Sequence, residues 1–451
     1  MKPMPLQQVA EVVGGRLEND NGKTVAVVST DSRTMPPGAL FVALKGERFD
    51  AHEFIDAGRL DTASALLVER KTASALPQIL VADTRKALGD LARHCRRQFA
   101  GRLIAVTGSN GKTTVKEMCG AILQTKGQTL MTQGNLNNDI GLPLTLFNLE
   151  DQDYAVVELG ANHPGEIDYL TRIALPDAAG ITHAGSAHLE GFGSVEGVAR
   201  AKGEIFAGLT AGGTAVINVD DQYRQIWLDL AKGRKILTFS LKGDSDFSAD
   251  WKPVAQGSEV SMQVCGQQID FTLALPGVHN VMNALTAAAL SYAVGFDAQQ
   301  IKAGLQHMRA VRGRLQWNQG RYQGMRVLDD TYNANPTSLS AGLAVLAREP
   351  GEHWLVLGDM AELGPESVAM HEEAGRLARR AGVSRLFSFG ENSRYASEYF
   401  GEGGQHFDDE DDLLAEIESQ WRGEGAVLVK GSRAMRMERF VDALKQQDDV
   451  N

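Results

Sequence analysis

The chain has 451 residues and a formal net charge of −12, so about three domains with cores of their own are expected and small-scaffold classes are excluded. The acidic balance argues against a nucleic-acid partner, which usually meets a basic face, but not against an anionic small ligand, because cations at contact distance decide such sites. Three scattered cysteines without a C-x-x-C pair, no signal-peptide core and no apolar run near the ~18 residues of a membrane span point to a soluble, cytoplasmic protein without structural zinc.

In chain order, short strands are expected at 24–28, 40–44, 65–68 and 79–82, a small mixed α/β unit over residues 1–82. Asp31, Ser32 and Arg33 fall in a turn between two of them, most simply a solvated turn with an Asp-Ser cap. A helix over 86–97 leads into an apolar strand at 103–106. That strand runs into Thr107, Gly108, Ser109, Asn110, Gly111, Lys112 and Thr113 and then a helix at 113–124. The pattern reads as a phosphate-binding loop. The glycines turn backbone N–H groups inward, the helix N-terminus faces the phosphates, Lys112 neutralises them, and the Thr113 hydroxyl turns toward Mg²⁺. Position 106 is valine where the longer G-x-x-x-x-G-K-[ST] pattern has glycine, so the match is to a shorter T-G-x-x-G-K-T variant.

After a strand at 129–131, the stretch 134–143 reads as a polar glycine loop that includes Asn138. A strand over 154–160 carries Glu158 near its end, and a charge there is costly unless paired or metal-bound. In a parallel sheet this strand end stands beside the phosphate loop, which suits Glu158 to the same Mg²⁺ as Thr113. A strand at 178–181 enters the loop 182–193, where His183 and His188 are candidate polar ligands. In the helix expected at 195–209, Lys202 by spacing alone reads as a solvated residue paired with a nearby acid. Strands and polar turns follow to 275, then the stretch 276–290 opens an alanine-rich helix with Asn280 as its expected cap and Asn283 on the same face, able to read a base edge.

A second α/β alternation runs from 313 to 451, with strands at 325–328, 353–357, 385–389 and 426–429. Their ends carry Asp330, Asp359 and Lys430, and ligands of doubly wound sheets bind beyond such ends. The acidic run 408–412 reads as a solvated loop. The expected architecture is therefore α/β with three domains: 1–82, a central parallel-sheet domain at 83–312, and a Rossmann-like domain at 313–451.

The motifs T-G-S-N-G-K-T, N-L-N-N-D-I-G-L-P, V-E-L-G-A-N-H, A-H-L-E-G-F-G, A-K-G-E-I-F, P-G-V-H-N-V-M-N-A, D-D-T-Y-N-A-N-P, G-D-M-A-E-L-G and K-G-S-R, in this order, resemble those of the ATP-dependent Mur ligases of peptidoglycan synthesis. The resemblance covers essentially the whole chain. It implies a ligase that activates the terminal carboxylate of UDP-MurNAc-tripeptide as an acyl phosphate and couples it to D-Ala-D-Ala. No D-N-P-R set is present, as diaminopimelate- and lysine-adding relatives carry. Those relatives, a folylpolyglutamate-type ligase and a phosphate-loop ATPase switch stand as the alternatives.

The same resemblance implies that Lys112 and Thr113 bind ATP phosphates and a first Mg²⁺ with Glu158, and that His188 ligates a second. It implies that Lys202 carries a CO2-derived carbamate and so becomes a metal ligand. It gives adenine to Asn283, ribose to Asp330, phosphates to Arg314, the uridine-diphosphate end of the substrate to Ser32, and its diphosphate to Asn138. Asp359 and Lys430 would stand near the incoming amine and the substrate peptide. A monomer is expected.

Overall fold

A computed structural model describes all residues except 47–48, 57–59, 61, 186–188, 255–256, 310 and 447–451. The central element is a nine-stranded sheet. Its parallel part runs, in spatial order, through Thr129–Met131, Tyr154–Glu158, Arg102–Thr107, Ala178–Ile181, Thr214–Asn218, Lys235–Ser240 and Phe247–Val254. Gly257–Val264 and Gln267–Leu273 then extend it as an antiparallel meander. The strand Arg102–Thr107 lies third from one edge, with Glu158 beside Val106 on one side and Ile181 beside Thr107 on the other. Three strand ends therefore meet at the phosphate loop.

Side-chain alternation along that strand divides the core in two. Ile104 and Val106 pack with the helices Lys112–Leu123, Val278–Ala293 and Ala298–Gln306. Leu103 and Ala105 join a second cluster that continues through the helix Thr84–Gln98 into Leu40, Val42 and Leu67 of the N-terminal sheet. The N-terminal unit is thus fused to the central sheet through one apolar core. Arg96 fastens the same helix, donating to Asp177 at 2.9 Å and to the Ala174 carbonyl at 2.9 Å.

The C-terminal sheet has six strands, parallel except for the edge strand Gln316–Gln319. It too is buried on both faces, its strand Glu352–Gly358 packing Leu355 and Leu357 into one apolar cluster and Trp354 and Val356 into another. Such two-sided burial is what continuous apolar strands predict.

Four local expectations are corrected. The strand at 24–28 is two strands in different sheets: Thr24–Val25 pairs with Met4–Pro5, and Val28–Ser29 with Leu40–Val42. The loop at 134–143 ends sooner, because Gly141–Leu146 is helical with Asn138 accepting the Gly141 N–H at 2.8 Å. The helix at 195–209 stops at Gly203 and continues as a 3₁₀ turn, Glu204–Gly208. The acidic run is no solvated loop. Asp409 caps the helix Glu410–Gln420, and Glu410, Asp411 and Asp412 fill its first turn, where negative charge meets the positive end of the helix dipole.

Candidate active site

The phosphate loop takes its shape from two glycines. Gly108 has φ 145°, and a Cβ there would stand 1.9 Å from the Thr182 hydroxyl; Gly111 has φ 82°, and a Cβ there would stand 2.4 Å from Asn283 Oδ1. Only glycine fits both the dihedral and the space. Thr107 closes the strand end by donating to the Leu159 carbonyl at 2.7 Å. Ser109 ties the loop to the next strand end, exchanging bonds with Gly185 at 2.9 and 3.1 Å. The Lys112 ammonium folds back onto the Gly108 carbonyl at 2.7 Å, at the mouth of a cleft of about 1070 Å³.

Thr113 and Glu158 are both buried, and the Thr113 hydroxyl donates to Glu158 Oε2 at 2.9 Å. Asn137 donates to the other carboxylate oxygen at 2.9 Å. Among the described residues Glu158 makes no ion pair, so its charge is held by these donors and is available to a cation. From the C-terminal unit Arg314 reaches across, its Nη2 donating to Thr113 Oγ1 at 2.9 Å while its guanidinium lies 4.2 Å from the centroid of the Tyr332 ring. Stacking on tyrosine and a fixed planar fork suit this arginine to a phosphate.

Asn283 lines the cleft against Gly111, its Nδ2 bonded to Asn280 Oδ1 at 3.2 Å. Asn280 is not the helix cap. Gly277 takes that position, and the Asn280 amide donates to the Pro276 carbonyl at 2.8 Å. Asp330 and Lys430 occupy neighbouring strand ends and form a buried ion pair, with Lys430 also donating to the Asn333 carbonyl at 3.1 Å. Burial raises the Asp330 carboxyl above the ordinary carboxylate range, against the pull of Lys430.

Lys202 is 1% exposed and not solvated. Its amine has one long contact, to the Ala161 carbonyl at 3.4 Å, and lies 5.4 Å from the centroid of the Phe192 ring. Burial, reinforced by the positive charge of Lys112, brings this amine down to about 7. It approaches the cleft from behind Ala161, itself part of the wall.

Of the other expected residues, Asn138 lines the cleft, and His188 lies outside the described residues. Ser32 sits in an exposed turn of the N-terminal sheet, beside the Asp31–Arg33 pair, away from the cleft. Asp359 is off the cleft wall as well, accepting the Asn392 and Ser393 N–H groups at 3.0 and 2.7 Å.

The structure adds residues that pattern reading did not assign. Asn137 and Asn335 lay inside quoted motifs. Asp221 had no sequence signal, yet it accepts the Ala184 N–H at 2.9 Å and so holds the loop carrying His183. His279 and His183 both line the cleft, and burial lowers each to about 4, so they stand there as neutral imidazoles.

A glycine turn with its lysine and hydroxyl, an acidic neighbouring strand end and an arginine delivered by a second α/β unit define a phosphate-loop, nucleotide-dependent enzyme. Sequence models of the Mur ligase family match three stretches: the catalytic domain at residues 24–96, the middle domain at 106–291 and the glutamate ligase domain at 313–433. The UDP-N-acetylmuramoyl-tripeptide–D-alanyl-D-alanine ligase of Escherichia coli is 46% identical over 99% of both chains. Crystal structures of MurF from Acinetobacter baumannii (36% identity, 98% of both chains, TM-score 0.92) and of MurF ligase from Thermotoga maritima in complex with ADP (29% identity, 92% of this chain and 96% of that one, TM-score 0.82) share the fold. The chain belongs to the Mur ligase family.

Proposed function

We propose that this chain joins D-alanyl-D-alanine to UDP-N-acetylmuramoyl-tripeptide at the expense of ATP, giving UDP-MurNAc-pentapeptide, ADP and phosphate for peptidoglycan synthesis. The observation that carries the reading is end-to-end similarity to a relative named for that reaction, 46% identical over 99% of both chains. The cleft supports it with a phosphate loop, an acidic strand end and cations from two units on one cavity.

In this reading residues 1–82 hold the uridine-diphosphate end through Ser32, 83–312 bind ATP, and 313–451 bind the dipeptide. The tripeptide carboxylate oxygen attacks the γ-phosphorus, and the bond from that phosphorus to the bridging oxygen breaks to release ADP. The dipeptide amine then attacks the acyl phosphate carbon and loses its proton, and phosphate leaves with the C–O bonding electrons. Phosphoryl transfer asks mainly for position and charge. Lys112 and Arg314 hold the phosphates, the loop amides from Ser109 to Gly111 orient them, Asn283 reads the adenine and Asp330 the ribose. Asn138 approaches the substrate diphosphate. Asp359 and Lys430 serve the dipeptide side, where the pairing of Lys430 with Asp330 makes it the link between the two ligands.

The donor set suits Mg²⁺, a hard cation that takes one or two carboxylates together with phosphate oxygens. Thr113 and Glu158 supply hydroxyl and carboxylate 2.9 Å apart, and among the described residues no cluster of three His, Cys, Asp or Glu side chains offers a different kind of metal site. When bound, the metal neutralises charge on phosphate and on the tetrahedral intermediate. A carbamate on Lys202 would add a second carboxylate, and His188 belongs to the same set. A neutral buried amine is the form that reacts with CO2, which supports the carbamate. Among the described residues no helix is long and apolar enough to cross a membrane.

The test is phosphate release from ATP with UDP-MurNAc-tripeptide, with and without D-Ala-D-Ala, followed by mass analysis of the nucleotide product. Release that requires both, with a pentapeptide product, is expected. Release that requires neither would replace the ligase with an ATPase switch, and dependence on another amine would change the acceptor.

A further inference from the structure

Asn110, at the tip of the phosphate loop, and Asn335, in the C-terminal unit, meet through both ends of their carboxamides. Asn335 Nδ2 donates to Asn110 Oδ1 at 2.6 Å, and Asn110 Nδ2 donates back to Asn335 Oδ1 at 3.3 Å. The two residues are 225 positions apart in the chain, so the contact exists only when the C-terminal unit is seated on the loop. Both partners are rigidly held. Asn110 has its carbonyl fixed by the Thr182 hydroxyl at 2.6 Å. Asn335 is 8% exposed and is the capping-box residue of the helix Pro336–Leu346, accepting the Ser338 N–H at 2.9 Å while its own N–H donates to Ser338 Oγ at 3.1 Å. Asn110 Nδ2 also faces His183 Nε2 at 3.5 Å. One side-chain pair therefore joins the phosphate loop, the loop after Ile181 and a helix of the other unit.

We infer that Asn335 is a positioning residue that acts through Asn110: the paired carboxamides make the phosphate loop and the seating of the C-terminal unit one two-state element. The inference rests on the ligase reading for its purpose but not for its test. A carboxamide is the side chain this place demands. It donates and accepts at once, so two of them pair in a ring, whereas aspartate cannot donate and would bring a negative charge toward the phosphates. Seating also brings Arg314 and Asp330, from the same unit, to the nucleotide side of the cleft. Nucleotide that favours the seated arrangement is then bound more tightly when the pair is intact, and the gain is shared reciprocally.

The experiment is a double-mutant cycle on the affinity of the full chain for Mg²⁺ and a non-hydrolysable ATP analogue, which needs no ligation and so remains readable whether or not the chain makes pentapeptide. Asn335→Ser keeps a good helix cap but is too short to reach Asn110; Asn110→Ala removes the other partner. Each is expected to weaken binding roughly tenfold, the double variant no more than either single one, as for two net hydrogen bonds shared by one pair. Small-angle scattering of Asn335→Ser with the analogue should show a larger radius of gyration than the native chain, and its thermal midpoint should stay near native because the cap is kept. Losses that multiply in the double variant, or an Asn335→Ser chain that binds and closes like the native one, would overturn the inference.

Discussion

Lys202 offers the sharpest test of the site chemistry. Its buried amine is brought from 10.5 to about 7, so about half of it is neutral at pH 7, against roughly one in 3000 for an ordinary lysine. Carbamate formation joins the neutral nitrogen to CO2 and releases a proton, so its rate follows the neutral fraction. With CO2-depleted enzyme and isotopically labelled CO2 at fixed dissolved concentration, labelling should rise about fivefold from pH 6 to 7, less than twofold from about pH 7 to 8, and then level off. Mass and NMR detection of the labelled carbamate, read beside recovery of phosphate release, follow both events. An exposed lysine would instead keep climbing about tenfold per pH unit toward its ordinary value. The linkage has a matching sign. The unfolded chain binds the extra proton between about pH 7 and 10.5, so the CO2-free enzyme should gain stability as pH rises through that window. Lys202→Ala should lose most activity and recover part of it with a small added carboxylic acid. Labelling that keeps rising through pH 9, or a fully active Lys202→Ala chain, would refute the reasoning.

Three further outcomes are expected. Lys430→Met leaves the buried Asp330 carboxylate without its partner and should cost about 3–5 kcal/mol in urea unfolding of the C-terminal unit; adding Asp330→Asn should return much of it, and no return would mean the pair is not the cause. The fault should also be relieved by acid, since an Asp330 carboxyl raised above its unfolded value adds stability below that value and loses it as pH climbs. Glu158→Gln preserves shape but removes the charge facing Thr113, so nucleotide affinity should become at least about tenfold less responsive to Mg²⁺ in a titration. Gly108→Ala would drive a Cβ to 1.9 Å from the Thr182 hydroxyl; nucleotide binding by calorimetry should be abolished, and retained affinity would show that the loop can reshape.

The central features of this protein are local enough to be read along the chain. The phosphate loop is a contiguous strand, turn and helix, and parallel strands announce themselves as short apolar runs: Ala65–Val68, Ala178–Ile181 and Arg385–Phe389 match their expected bounds residue for residue, as does the half-buried Thr129–Met131, while the strand expected over 154–160 stops at Glu158. Antiparallel and edge elements were less legible. The expected strand at 24–28 divides because its halves pair with partners that local pattern does not name. The acidic run 408–412 is polar enough to resemble a loop, yet Asp409 turns it into a helix start by satisfying two backbone N–H groups.

What the amino-acid order determined by itself was the chemistry available: a lysine and hydroxyl after a glycine turn, a carboxylate at a strand end, and motifs that name a family. Tertiary structure alone decided which groups share a cavity and what state they hold there. Lys202 looks like any helical lysine until the fold removes water from around it. Arg314 and Asn335 meet Thr113 and Asn110 of the glycine turn only because the second α/β unit sits over the first, and the same arrangement leaves Asp359 bonded to backbone amides outside the cleft wall. Burial and long-range contact depend on the positions of all the other residues at once, and no stretch of sequence carries that information locally.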